Sequence, residues 1–307
     1  SNPQCFYVHI IFTAFYMVYF QCFICYVLIQ AGRTLYIIGV LGDHHLAANF
    51  KRIMGWFCIS AVFWITGAIL QGEWQILLWI IAAICDYTAP MHGFALPRLG
   101  RSDSSKEWTI EGHHLVERCQ LFVIIAFGET LLMTGASLSE VEEWTPLVII
   151  SAVISFIGSL AMWWVYFDVS SEAGSRKIQE VKDPGKLGLI YNAIHIVLVG
   201  ALIICAVGDE LIVAHPEQEM RAEVVFVLII GPIVYILANS IYKYVTCRML
   251  PLSHIIAVIA LALLLPWPYH ISLLTMNILV ISVFIFVIVF DMLFPNKGFK
   301  IKWEPKI

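Results

Sequence analysis

The sequence predicts an all-α fold: a polytopic integral membrane helical bundle of about nine transmembrane helices, forming a single membrane domain over residues 1–307. Hydrophobic residues make up 60% of the chain and charged residues only 13%, whereas roughly one residue in four is charged in soluble domains. Nine apolar runs approach the roughly 20 residues that a spanning helix needs. The predicted spans are residues 5–41, 47–70, 74–96, 111–135, 144–169, 186–214, 222–245, 252–265 and 272–294.

Most of these runs have the length of a simple span, and three need comment. The first, residues 5–41, is too long for one straight helix and is expected to be tilted or broken near residues 13–15. The seventh contains Gly231 and Pro232, and because proline lacks the amide N–H of the helix ladder, a kink is expected there. The eighth, residues 252–265, is short.

The charges between the runs predict how the helices cross the membrane. Every second loop is basic, and the remaining loops carry Arg221 against several glutamates. By the positive-inside rule, the basic side and the C-terminus are cytoplasmic and residue 1 lies on the outer side of the inner (plasma) membrane. The basic side collects Lys51, Arg52, Arg98, Arg101, Lys106, Arg176, Lys177, Lys182, Lys186, Lys243, Arg248, Lys297, Lys300, Lys302 and Lys306.

Several classes of ligand are disfavoured by composition. The chain has no basic tract and no glycine-rich phosphate loop, so nucleic acid is not an expected partner. The eight cysteines all lie in apolar runs, where free cysteine behaves as a small hydrophobe. No metal or cofactor is therefore predicted, and the expected partners are the lipid bilayer and a small solute or ion. The chain becomes apolar without a charged leader, which indicates a start inside a longer protein.

Two carboxylates lie deep in predicted spans. Asp86 is in the third run and Glu129 in the fourth, about 16 Å below Arg118 at the helical rise. Neither short side chain reaches the interface, and a charge at this depth costs about 2.5–3.5 kcal/mol on insertion scales. Each is therefore either a protonated or arginine-paired structural group, or part of a substrate, ion or proton site.

The fourth run begins with five ionisable residues within eight positions. On a helical period, Glu111, His114, Arg118 and Glu129 project within roughly 60° of one another, whereas Glu117 points elsewhere. The first three are interpreted either as capping and ion-pairing groups or as a cytoplasmic gate network. The order of the two histidines and the glutamate differs from HExxH, so no metal site is predicted there.

The sixth run carries polar residues at both ends. His195 is either a hydrogen-bonded core histidine or a proton relay or ligand. Asp209, beside Glu210, is either an ordinary outer-face charge or part of a binding site.

Four further ionisable residues receive simple interpretations. Asp168 and Asp291 are predicted to be interfacial charges, and His254 a loop residue at a helix end. Arg33, with Gln30, either snorkels to the cytoplasmic face or forms a buried pair.

Four segments resemble the bacterial low temperature requirement protein A family: AGRTLY (31–36), FALPRLGRSDSSKEWTIEGHHLVERCQLFVIIAFGETLLMTGA (94–136), WWVYFD (163–168) and AVGDELIVAHP (206–216). The resemblance implies a multi-pass, bacterial-type inner-membrane protein. It also implies a missing N-terminal segment with a Glu-Leu-Phe-Phe-Asp-Leu type motif. It carries over Glu111, Gly112, His114, Glu117, Arg118, Gly128, Glu129, Asp209, Glu210, His215 and Pro216. It implies no particular chemistry.

The favoured hypothesis is a transporter or channel-like permease with a buried carboxylate and histidine site. Glu129 and Asp86 are expected to form its mid-membrane part. Two alternatives remain: an intramembrane enzyme acting on a lipid or small apolar substrate, and a regulatory or stress-response membrane protein without turnover. No nucleophile–base pair is evident, which argues against the enzyme. The candidate binding or proton-relay residues are Glu129, Asp86, His195, Arg118, His114, Glu111 and Asp209.

Overall fold

The computed structural model describes residues 24–70, 72–102, 112–141, 143–168, 184–219, 221–266, 271–294 and 298–300. Its helices are α1 (Ile24–Leu41), α2 (His45–Ile69), α3 (Glu73–Met91), α4 (Gly112–Glu140), α5 (Pro146–Phe167), α6 (Pro184–Ala214), α7 (Ala222–Val225), a π-helical segment (Phe226–Ile230), α8 (Gly231–Cys247), α9 (Leu252–Leu264) and α10 (Leu273–Leu293). Two short strands, β1 (Met249–Pro251) and β2 (Gly298–Lys300), pair antiparallel with Met249 opposite Lys300.

The predicted membrane bundle is confirmed. Eight helices in the described part of the chain are long and apolar enough to cross a membrane, and the short eighth run forms the 13-residue α9. The described part of the first run is α1, and the expected break near residues 13–15 lies outside the described residues.

The chain divides into two compact units, Ser1–Thr109 and Ile110–Ile307, called unit 1 and unit 2. In unit 1, α2 packs against α3. The turn between them includes Gly72, whose φ of 79° is favourable for glycine and strained for other residues.

Unit 2 is built around α6, which contacts α4, α5, α8 and α10. α9 packs against α8 and α10, and α10 also packs against α5. The core between these helices contains Tyr166, Tyr191, Tyr235, Tyr242 and Phe284, all almost completely buried.

The helical bounds define two ends of unit 2. At the end called the Thr145 end, α5 and α10 begin and α6 finishes. Thr145 and Ser272 cap the two starting helices by accepting from backbone amides, and the Leu274 amide donates to the Pro216 carbonyl at 3.2 Å. At the opposite end, called the Lys243 end, α5, α8 and α10 finish and α6 begins.

The kink expected at Gly231 and Pro232 takes the form of the π-helical segment. The Gly231 N–H donates to the Phe226 carbonyl, five residues back instead of four. Pro232 has no N–H to offer Leu228. The carbonyls of Val227 and Leu228 thereby lose their usual α-helical donors, and such one-turn π bulges often occur at functional sites.

Candidate functional site

Asp209 is a predicted site residue that the structure places in a buried, polar environment. It lies in the last turns of α6 with only 7% of its surface exposed. The Ser155 hydroxyl, from α5, hydrogen-bonds to its carboxylate. Ser155 in turn accepts from the Asn277 Nδ2 of α10 at 3.2 Å. Three helices therefore contribute to one hydrogen-bonded chain, and the interpretation of Asp209 as an outer-face charge is wrong.

A small cavity lies against this chain. Its volume is about 30 Å³, enough for one or two water molecules or a bare ion. Asp209 and Asn277 supply its polar lining. The remaining lining residues are Gly158, Met162, Cys205, Val227, Leu228, Pro232, Val280, Ile281 and Phe284. An apolar cavity with two convergent polar groups is a typical form for a small-ligand site.

The π-helical segment approaches α6 closely because glycines face it. A Cβ atom on Gly208 would lie 2.9 Å from Leu228 Cδ2 and 3.5 Å from the Val227 carbonyl oxygen. A Cβ on Gly231 would lie 2.8 Å from Ile204 Cγ2. Because glycine has no side chain, the Val227 carbonyl can lie close to the turn of α6 that carries Asp209.

Asp209 forms no ion pair with any residue of the described part of unit 2. Its hydrogen-bond partner is a neutral hydroxyl. An ionised carboxylate is costly in a low-dielectric interior unless a cation neutralises it. This geometry therefore suits a group that takes up a proton or a small cation.

A second polar cluster, the Lys243 cluster, lies at the opposite end of unit 2. It comprises Asp168, Lys243, Ser253, His254 and Asp291. The Lys243 Nζ lies 3.2 Å from Asp168 Oδ2 and 3.1 Å from Asp291 Oδ2. Ser253 donates to Asp291 Oδ1 and lies 3.1 Å from His254 Nδ1.

The Lys243 cluster bears on two predictions. Asp168 and Asp291, predicted to be interfacial charges, lie at the ends of α5 and α10 and both accept from one buried lysine; their interfacial position stays a prediction. His254 was predicted to be a loop residue, which is wrong, because it is fully buried within α9. Its Nε2 lies 3.3 Å from Asn239 Oδ1 of α8. Burial of a lysine is tolerated here because two carboxylates neutralise and hydrogen-bond it.

His195 is enclosed by aromatic rings in the core of unit 2. Its Nδ1 donates to the Tyr191 carbonyl at 2.7 Å, because a carbonyl oxygen only accepts. Its Nε2 therefore accepts from the Tyr166 hydroxyl at 2.8 Å. Both ring nitrogens are occupied, which favours the hydrogen-bonded core interpretation over that of a ligand.

The charged residues of α4 remain apart from these clusters. Glu129 and Arg118 are exposed. His114 lies 3.6 Å from Glu117, and both of these side chains are also exposed. Glu111 lies outside the described residues. The gate formed by these residues stays a prediction.

In unit 1, the predicted deep residues have local partners. The Asp86 Oδ2 accepts from Trp64 Nε1 at 2.9 Å. The ring of Tyr26 lies edge-on to Trp64, with centroids 6.0 Å apart. Arg33 donates to the Gln30 side chain at 2.8 Å in an exposed position, and the choice between snorkelling and a buried pair stays a prediction. The pairing of Asp86 with Glu129 stays a prediction.

Sequence reasoning missed Ser155, Asn277 and the Val227 carbonyl. Serine and asparagine side chains carry no charge, so those in an apolar run were not among the candidate site residues. The signal that was available is Asn277 itself, because an amide within such a run needs a hydrogen-bond partner to offset its burial. The Pro232 kink was a second signal.

The chain is similar over most of its length to one described protein family. The family described as bacterial low temperature requirement A protein matches residues 5–289. An uncharacterised protein of Rhizobium meliloti (strain 1021) is 33% identical over 240 residues, which covers 76% of this chain. The chain spans 58% of that relative's length. No solved structure matches the chain.

Proposed function

The chain belongs to the bacterial low temperature requirement A family, and we propose that it is a membrane permease that carries a proton or small cation through unit 2. Asp209 is the proposed binding residue. The observation that carries this proposal is a carboxylate, 7% exposed, beside a small, partly open cavity and without an ion pair among the described residues. A permease must hold its ion away from bulk water, and acidic residues at membrane depth commonly mark ion and proton paths.

A polar stripe on α8 supports a path from the cavity to the other end of unit 2. Gly231, Tyr235, Asn239 and Lys243 follow at four-residue intervals and so lie on one face of the helix. They extend over about 18 Å at the helical rise. The Tyr235 hydroxyl donates to the carbonyl of Met162, a residue that lines the cavity.

The Lys243 cluster is the proposed gate at the far end of this stripe. Its lysine joins α8 to α5 through Asp168 and to α10 through Asp291. An ion pair that spans three helices favours the arrangement in which their ends are close together. With the basic side cytoplasmic, as the positive-inside rule predicts, the Asp209 cavity takes its ion from the outer side and the Lys243 cluster closes the cytoplasmic end.

The proposal is tested by flux in proteoliposomes containing the full chain, with matched single substitutions. We expect Asp209→Asn to abolish proton or cation flux driven by an imposed membrane potential. Glu210→Gln is the matched control, since it neutralises the next residue of α6, which is only partly buried. We expect the control to retain the flux of the parent.

Glu129→Gln tests the alternative that the transport site lies on α4. If Glu129→Gln removes flux while Asp209→Asn retains it, the transport site belongs to α4 and the assignment to Asp209 fails. If the parent carries no flux of protons or alkali cations under an imposed potential, the permease proposal itself is wrong.

A further inference from the structure

We propose that the Asp209 cavity binds a dehydrated monovalent cation of the size of sodium, held by Asp209, Asn277 and the main-chain carbonyl of Val227. This inference rests on the proposed permease function and names the ion that the site takes.

The hydrogen bonds among Asn277, Ser155 and Asp209 leave oxygen acceptors that can face the cavity. Asn277 uses its Nδ2 to donate to Ser155 Oγ, so its Oδ1 is the atom left for a ligand. Ser155 accepts from Asn277 and hydrogen-bonds to Asp209, so its own proton points to the carboxylate. The Ser155 proton and one N–H of Asn277 are therefore used to orient acceptors, and a cation is complementary to the Asp209 carboxylate and the Asn277 Oδ1.

The π-helical segment adds a third oxygen. Gly231 donates to Phe226, and Pro232 lacks an N–H, so the Val227 carbonyl has lost its α-helical donor. Val227 lines the same cavity, and its carbonyl oxygen lies close to Gly208, next to Asp209 in sequence. Carbonyls released by a local break in a transmembrane helix are a recurrent source of sodium ligands in transporters.

The charge of the site favours a monovalent ion. Asp209 is the acidic residue that lines the cavity, and the other two ligands are neutral oxygens. One carboxylate balances one positive charge, whereas a divalent ion would leave a net charge in a low-dielectric interior, which is strongly unfavourable. Calcium sites also gather six to eight oxygen ligands, more than this cavity offers.

The size of the cavity favours a bare ion. A volume of about 30 Å³ accommodates one or two particles of water size, and a bare sodium ion is smaller than a water molecule. One remaining water in the cavity would complete the coordination of the ion.

The experiment uses the purified full chain in detergent, with 22Na⁺ as the probe and choline as the replacement ion at constant ionic strength. We expect saturable binding of sodium that Asp209→Asn abolishes. Ser155→Ala, which removes the group that orients both ligands, is expected to raise the Kd for sodium by roughly ten-fold or more, as loss of outer-shell partners does in metal sites. Glu210→Gln is the control and keeps the Kd of the parent.

The outcomes separate this inference from the permease proposal. If sodium does not bind but Asp209→Asn still removes proton flux, the site holds a proton, so the sodium inference is overturned while the permease proposal stands. If sodium binds in an Asp209-dependent way but the liposomes show no flux, the sodium inference stands and the permease proposal fails. Equal sodium binding by the parent and Asp209→Asn overturns the sodium inference directly. Thermal melting in choline identifies any variant that fails to fold.

Discussion

Lys243→Met tests whether the Lys243 cluster holds three helices of unit 2 together. Methionine keeps much of the length and apolar volume of lysine and removes the ammonium group, so the packing of the side chain is largely preserved. The substitution leaves Asp168 and Asp291 without their shared cation, because Lys243 Nζ is the group at 3.2 and 3.1 Å from them. The effect on stability then reports the charges rather than the shape of the side chain.

The expected loss follows from the exposure of the three side chains. Removing one partner of a fully buried ion pair costs about 3–5 kcal/mol. Here the lysine side chain is 8% exposed, but the Asp168 and Asp291 side chains are 43% and 19% exposed. Asp168 rehydrates almost freely, and Asp291 keeps the hydrogen bond from Ser253. We therefore expect Lys243→Met to lower the free energy of unfolding by about 2–3 kcal/mol.

The measurement is reversible unfolding by SDS titration in mixed micelles, with Lys51→Met as the control because Lys51 is exposed in unit 1. The control is expected to change stability by less than about 0.5 kcal/mol. Adding Asp291→Asn to Lys243→Met neutralises the carboxylate left behind and is expected to restore about 1–2 kcal/mol. A loss for Lys243→Met no larger than that of the control, or strictly additive effects in the double variant, would refute the reasoning.

Two other substitutions test the contacts around the cavity and the core. Gly208→Ala places a Cβ 2.9 Å from Leu228 Cδ2, so we expect overpacking that lowers stability by about 1–3 kcal/mol in the same SDS titration; a neutral effect would mean that the Leu228 side chain moves aside without cost. Tyr166→Phe removes the hydroxyl 2.8 Å from His195 Nε2 and leaves a buried acceptor unsatisfied, at a cost of about 1–3 kcal/mol. If Tyr166→Phe lowers flux while stability is unchanged, His195 takes part in transport and its role is not only structural.

The membrane helices and the kink were predictable because they depend on local features. Within a bilayer a segment must satisfy its own backbone hydrogen bonds, so a long apolar run forms a helix whatever its neighbours are. The second predicted span, residues 47–70, corresponds to α2, His45–Ile69. Pro232 disrupts the helix ladder through its own covalent structure, and the π-helical segment lies immediately before it.

The roles of individual polar residues were harder to predict. Glu129 and Asp86 were expected to form the centre of a site because both are carboxylates deep in apolar runs. In the structure Glu129 is exposed, and Asp86 accepts a hydrogen bond from Trp64. Asp209, interpreted as either an outer-face charge or a binding residue, lines a cavity. Depth along a helix follows from counting residues, but the direction of a side chain depends on how that helix is rotated against its neighbours.

The sequence by itself determined that this protein is a bundle of membrane helices, where those helices run, and that one of them is interrupted at Pro232. Only the tertiary structure decided which polar groups meet. Asn277 hydrogen-bonds to Ser155, 122 positions away in the sequence, and Lys243 hydrogen-bonds to Asp168, 75 positions away. The physical reason is that spans such as α6 and α10 are apolar on nearly every face, so no pattern in the sequence marks the face that packs inward. The packing of small residues and the hydrogen bonds between helices determine which face of each helix packs inward.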